Sequence, residues 1–178
     1  MPDDAPWYEA ALLVGVTNAL NVVADSPLES LEPASPSAEA QAVFTEIRAF
    51  YDRTDVPVAF RRVAADPGYL ADLWGAARRA FADQTLTRRH KEALAFAVSV
   101  TTRSAFGTSF HLAEMRRLGV GERGVMEVLG VTQMFSSYTK IADTLQLEPD
   151  MDHIAAGDPS PAPGGASPRR EARPPEAP

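Results

Sequence analysis

Lys91–Gly119 reads KEALAFAVSVTTRSAFGTSFHLAEMRRLG, and where its helical pattern breaks decides the fold. Apolar and small residues recur at helical spacing on both sides of Thr101-Thr102-Arg103-Ser104, a hydroxyl-rich run that ends one helix and opens the next. Glu92 stands at the start of the first helix and His111 midway along the second. Ser104, Gly107 and His111 follow at intervals of three and four, which places all three on one face of the second helix. If the two helices fold back as an antiparallel pair, that face turns toward the helix that carries Glu92.

Working outward, the flanking sequence predicts more helices and no strand. Trp7 to Ala24 repeats apolar and small residues at helical spacing and stops at Ser26-Pro27. Leu28 to Pro36 is a connector. Ala40, Val43, Phe44, Ile47, Phe50 and Tyr51 form one stripe, so Ser37 to Asp52 is the clearest amphipathic helix. A short helix is expected from Asp55-Val56-Pro57 through Ala65, and another from Asp66-Pro67 with Asp66 as N-cap. Thr87 is positioned to cap the helix of Glu92. Gly119 is suited to a C-cap, Gly121 to Leu129 to a short helix, and Val131 to Leu145 to a last long one after Gly130. The expected architecture is an all-α bundle of about seven helices, with residues 1–153 as a single helical domain. From Ile154 onward the chain holds seven of its fifteen prolines and almost no large apolar group, a composition expected to stay disordered over 154–178. VTNALNVVADSPLESLEP also resembles VTQMFSSYTKIADTLQLEPD; an internal duplication and a chance likeness of two apolar helices both account for it.

Composition limits the function. An apolar fraction of 45% supports a real core, and a net charge of −7 gives no basic surface for nucleic acid. The chain has no cysteine, so it holds no disulfide, thiolate metal site or cysteine nucleophile. His90 and His153 have no companions at metal-ligand spacing, and no metal or cofactor is expected. The acidic start MPDDAPWYEA and the short apolar run Ala10–Val16 predict neither a leader nor a membrane span; the expected location is the cytoplasm.

The pattern Glu92, eleven residues, Ser104, two, Gly107, three, His111, with a helix ending in Leu118-Gly119, resembles the carboxymuconolactone decarboxylase and alkylhydroperoxidase D-like family. The likeness runs from about Ala38 to Asp150 and includes AVFTEIRAFY, DVPVAFRRVAADPGYLADLW and YTKIADTLQLEPD. It implies an alkylhydroperoxidase D-like helical bundle and assembly as a homo-oligomer, a trimer or hexamer. In the redox branch of the family, cysteines occupy the positions of Ser104 and Gly107, and the Glu92 and His111 positions form a proton relay. A serine hydroxyl cannot replace a thiolate in attacking a peroxide, so the peroxidase reaction is expected to be lost. VPVAFRRVAADPGYLADLW is also similar, more distantly, to group I haloacid dehalogenases.

The acid–base half remains. Glu92 and His111 are therefore the candidate catalytic pair, with Ser104 as a third catalytic candidate and Thr108, Phe106, Phe110, Trp74 and Tyr138 as substrate-binding candidates. Each also has a plain structural explanation. A first-turn glutamate suits the helix dipole, a histidine on an apolar helix can be a hydrogen-bonded core residue, and Ser104 can be a cap. The expected function is a small-molecule lyase, isomerase or hydrolase; the alternative is a non-catalytic small-molecule-binding or assembly protein of the same fold.

Overall fold

The computed structural model describes residues 4–27 and 32–146. Seven helices fill the described residues: α1 (Ala5–Asp25), α2 (Ala38–Tyr51), α3 (Val58–Arg62), α4 (Pro67–Phe81), α5 (Arg88–Thr101), α6 (Ala105–Arg117) and α7 (Glu122–Thr144), with no strand among them. The connector's residues 28–31 and the proline-rich tail lie outside the described residues. The chain divides into two compact units, Met1–Thr139 and Lys140–Pro178. Of the second, the described part is helical to Thr144.

Side chains fix where the helices begin. Ser37, Asp66, Thr87 and Ser104 each accept a hydrogen bond from a first-turn backbone amide of α2, α4, α5 and α6. Pro67 at the first position of α4 adds its fixed φ. Helix ends follow the complementary rule. Gly119 has φ 82°, and the amide of Val120 reaches back to the carbonyl of Met115 at 2.9 Å, the left-handed closure that satisfies the orphan carbonyls of α6. Arg103 takes the same conformation, φ 59°, without glycine's freedom, and the Ser104 amide then bonds the Ser99 carbonyl at 3.0 Å. That reversal folds α6 back onto α5.

Two details differ from the sequence pattern. α3 ends at Arg62 rather than Ala65, because Val63 already leaves the helix at φ −92°, ψ 0°. Gly130 does not divide the last helices, since one glycine costs a helix only about 1 kcal/mol relative to alanine; α7 runs through it unbroken.

The core packs α1 against α3, α4, α5 and α6, and α2 against α4. Leu13, Ile47, Tyr51, Leu70, Ala77 and Phe81 are among its fully enclosed side chains. α1 is long and apolar enough, by length and composition, to cross a membrane, although the short Ala10–Val16 run predicted no span. Its Leu13, Thr17, Leu20 and Asn21 are buried inside the domain, while Trp7, Tyr8, Val14 and Val22 of the same helix are exposed. Arg62 closes the C-terminal end of α1 by donating to the carbonyls of Val23 at 3.2 Å, Ala24 at 2.6 Å and Ser26.

Glu9 ties the start of α1 to the loop before α5. It accepts hydrogen bonds from the amides of Thr85 at 2.9 Å and Leu86 at 3.1 Å, and it pairs with the enclosed ammonium of Lys91 at 3.0 Å. Desolvation pushes the Glu9 carboxyl up, but the Lys91 ammonium and the two loop amides outweigh it and hold it at about 2, against an ordinary 4.5. A depressed carboxyl stabilises the fold fully above its unfolded value and loses that contribution as pH falls. The stability difference between wild type and Glu9→Gln, measured by urea unfolding, is therefore expected to be constant above about pH 5 and to shrink between 4.5 and 2. A difference independent of pH in that window refutes the clamp.

Candidate functional site

The site is built on the α5–α6 hairpin. Residues at similar distances from the turn at Thr102-Arg103 come face to face: Glu92 meets His111, and Arg88, one turn earlier, meets Glu114, three residues further on. On α5 the buried face carries Arg88, Lys91, Glu92, Ala95 and Ser99; on α6 it carries Gly107, His111, Glu114 and Met115. The spacings of three and four are those of one helix stripe.

Glu92 Oε2 and His111 Nδ1 lie 2.7 Å apart, with the side chains 0% and 2% exposed. A carboxylate can only accept, so Nδ1 carries the proton and Nε2 holds the lone pair of the neutral ring. Phe81 stacks on the imidazole at 5.6 Å, and Phe110 meets it edge-on at 5.2 Å. The other oxygen of Glu92 accepts from Arg88 Nε at 2.7 Å. Arg88 lies over the rings of Phe50 at 4.4 Å and Tyr51 at 4.9 Å, a geometry of cation–π attraction. Its Nη2 approaches Glu114 Oε2 at 3.6 Å, and Arg117 holds the same oxygen at 2.7 Å. The hydrogen bond to Glu114 raises Arg117 above its ordinary value. Burial, followed by the nearby Glu92 carboxylate, raises the Tyr51 phenol. A chain of alternating charge thus runs from Glu92 through Arg88 and Glu114 to the exposed Arg117, with His111 hydrogen-bonded to its inner end.

The other sequence candidates separate into groups. Ser104 is the N-cap of α6, its Oγ accepting from the Gly107 amide at 2.9 Å. Thr108 is half-buried in the first turn of α6. Phe106 stacks on Phe110 at 5.4 Å, and Phe110 reaches Tyr51 at 5.2 Å. Trp74 packs edge-on against Phe50 and Phe60 and donates its Nε1–H to Glu46 at 3.0 Å. Tyr138 stands apart from this cluster. It is 58% exposed on α7, whose one fully buried residue is Val125, because the stripe of α7 faces outward.

Arg88 and Glu114 escaped the sequence analysis. Their signal was the shared stripe, four residues before Glu92 and three after His111. Gly107 has a stricter reason than spacing. A Cβ there would collide with Asn21 Oδ1 and Ser99 Oγ, and Asn21 Nδ2 donates to that same Ser99 Oγ at 3.0 Å. The side-chain space beside residue 107 is thus filled from α1. A separate cleft of about 300 Å³ is lined by Pro33, Gln41, Phe44, Arg48, Val56 and Arg61, with other residues of the connector and α2–α3 loop; none of its lining belongs to the Glu92–His111 pair.

The helical architecture of the described residues is an alkylhydroperoxidase D-like all-α fold. The chain superposes on the crystal structure of the alkylhydroperoxidase AhpD core from Rhodospirillum rubrum with a TM-score of 0.61 and 24% identity, covering 65% of this chain and 86% of that one. Residues 67–147, which include Glu92 and His111, match the carboxymuconolactone decarboxylase family. No curated protein matches the sequence significantly.

Proposed function

We propose that the chain is a carboxymuconolactone decarboxylase-like small-molecule enzyme, a lyase, isomerase or hydrolase, that moves protons with Glu92 and His111 and has no thiol peroxidase activity. The buried 2.7 Å contact between Glu92 and His111 carries this reading. Glu92 orients the ring through Nδ1, and His111 takes and returns the substrate proton at Nε2. Phe110, half-buried and edge-on to the imidazole, is the group a substrate must pass. Ser104 uses an oxygen lone pair on the Gly107 amide, and its hydroxyl proton is left for substrate or water; Thr108 serves beside it. The reading calls for no cofactor and a cytoplasmic location. In crystals soaked with small carbonyl and carboxylate compounds, a molecule within hydrogen-bond reach of His111 Nε2 supports the enzyme. A packed, ligand-free core around the ring in every soak removes it.

The near-complete enclosure of both side chains favours a second reading, a binding or assembly protein that keeps the fold. Either way the chain is proposed to form a homo-oligomer, a trimer or hexamer. Met126, Val131, Met134, Phe135 and Tyr138 are each more than half exposed along α7, an apolar face that a second copy of the chain would cover. Light scattering at micromolar concentration is expected to give a multiple of 19.2 kDa; a clean monomer refutes the assembly.

A further inference from the structure

We propose that Arg88 is the positioning residue of the Glu92–His111 pair: it pins one oxygen of Glu92 so that the other fixes His111 with its proton on Nδ1. The inference rests on the acid–base reading of that pair and adds to it a residue that does not touch His111.

A carboxylate turns easily about its last torsion, which has broad rather than sharply staggered minima. One hydrogen bond to an imidazole leaves that rotation open, whereas two bonds to opposite sides close it. Glu92 has both: Arg88 Nε on Oε1 at 2.7 Å and His111 Nδ1 on Oε2 at 2.7 Å. Arg88 is itself held on several sides. Phe50, Tyr51 and Phe81 line its guanidinium at 4.4, 4.9 and 5.5 Å. Glu114 adds a charge contact from α6 at 3.6 Å and is anchored in turn by Arg117. Phe81 also stacks on His111, so one ring sets the plane of the imidazole and a wall of the guanidinium. The single donor aimed at Glu92 is Nε–H, leaving Nη2 with no hydrogen-bond partner among the described residues.

The test reads the ring, not turnover. In ¹⁵N spectra of the neutral His111 imidazole in the full chain, wild type is expected to show the Nδ1–H tautomer alone. Arg88→Met is expected to raise the Nε2–H tautomer about tenfold or more, the loss of one charge-assisted hydrogen bond. Arg88→Lys, which returns a cation to Oε1, is expected to restore the wild-type pattern largely. An Arg88→Met spectrum that overlays wild type, or an Arg88→Lys spectrum that matches Arg88→Met, overturns the proposal. If Arg88→Met does not fold, the Arg88 Nε–H resonance decides. It is expected to move in His111→Gln, which changes the far side of Glu92, and an unmoved resonance overturns the proposal. Full turnover by His111→Gln would sink the acid–base reading without altering any of these spectra, so the two failures are distinguishable.

Discussion

His111→Gln is expected to lower turnover of the true substrate by about 10²–10⁴-fold, the range that one general acid–base group contributes. Glutamine is similar in length and stays polar, so the α5–α6 hairpin is expected to keep its packing against Phe81 and Phe110. It has no lone pair basic enough to take a proton at the position of Nε2. Loss of proton transfer should lower kcat and kcat/KM together, because binding is untouched while the transition state loses its partner. Steady-state kinetics on a substrate found by ligand soaking, with unfolding midpoints as a control for folding, makes the measurement. A variant with full activity on that substrate would leave the binding-protein reading ahead. Peroxide consumption is expected to be absent already in the wild type, which has no cysteine.

The largest expected loss of stability belongs to Arg88→Met, about 3–5 kcal/mol, the cost of removing one partner from a buried ionic group. Arg88 bridges two carboxylates, Glu92 and Glu114, whose side chains are 0% and 1% exposed. Arg117 at 2.7 Å and Arg53 at 3.9 Å would still neutralise Glu114, so the penalty falls on Glu92, which keeps only the imidazole. Methionine fills much of the same volume among Phe50, Tyr51 and Phe81, which separates the charge effect from a cavity effect. The measurement is the shift in urea midpoint at an unchanged m-value. A loss below about 1 kcal/mol, typical of a surface ion pair, would mean that the network is dispensable.

Much of the fold was legible because its signals are local. The caps at Ser37, Asp66, Thr87 and Ser104 act within three residues, and the stripe of α2 and the reversal at Gly119 need only their own turns of helix. The site was legible in part for the same reason: intervals of three and four place Ser104, Gly107 and His111 on one face whatever packs against it. That Glu92 meets that face, at 2.7 Å, depends on the hairpin closing at Arg103 with a positive φ that its residue type does not advertise.

By itself, then, the sequence determined the all-helical class, most helix starts, the absence of thiol chemistry and the shared stripe of α6, since periodicity and capping are settled by neighbours a few residues away. Only the tertiary structure decided that Ser104 spends an oxygen lone pair on a cap and that Tyr138 faces outward. It also decided that Arg88 and Glu114 extend the buried Glu92–His111 contact, and that Asn21, 78 positions before its partner Ser99, fills the space beside Gly107. Burial and charge pairing are properties of surfaces brought together from distant parts of the chain, and no local pattern records which carboxylate will find which cation once water is gone.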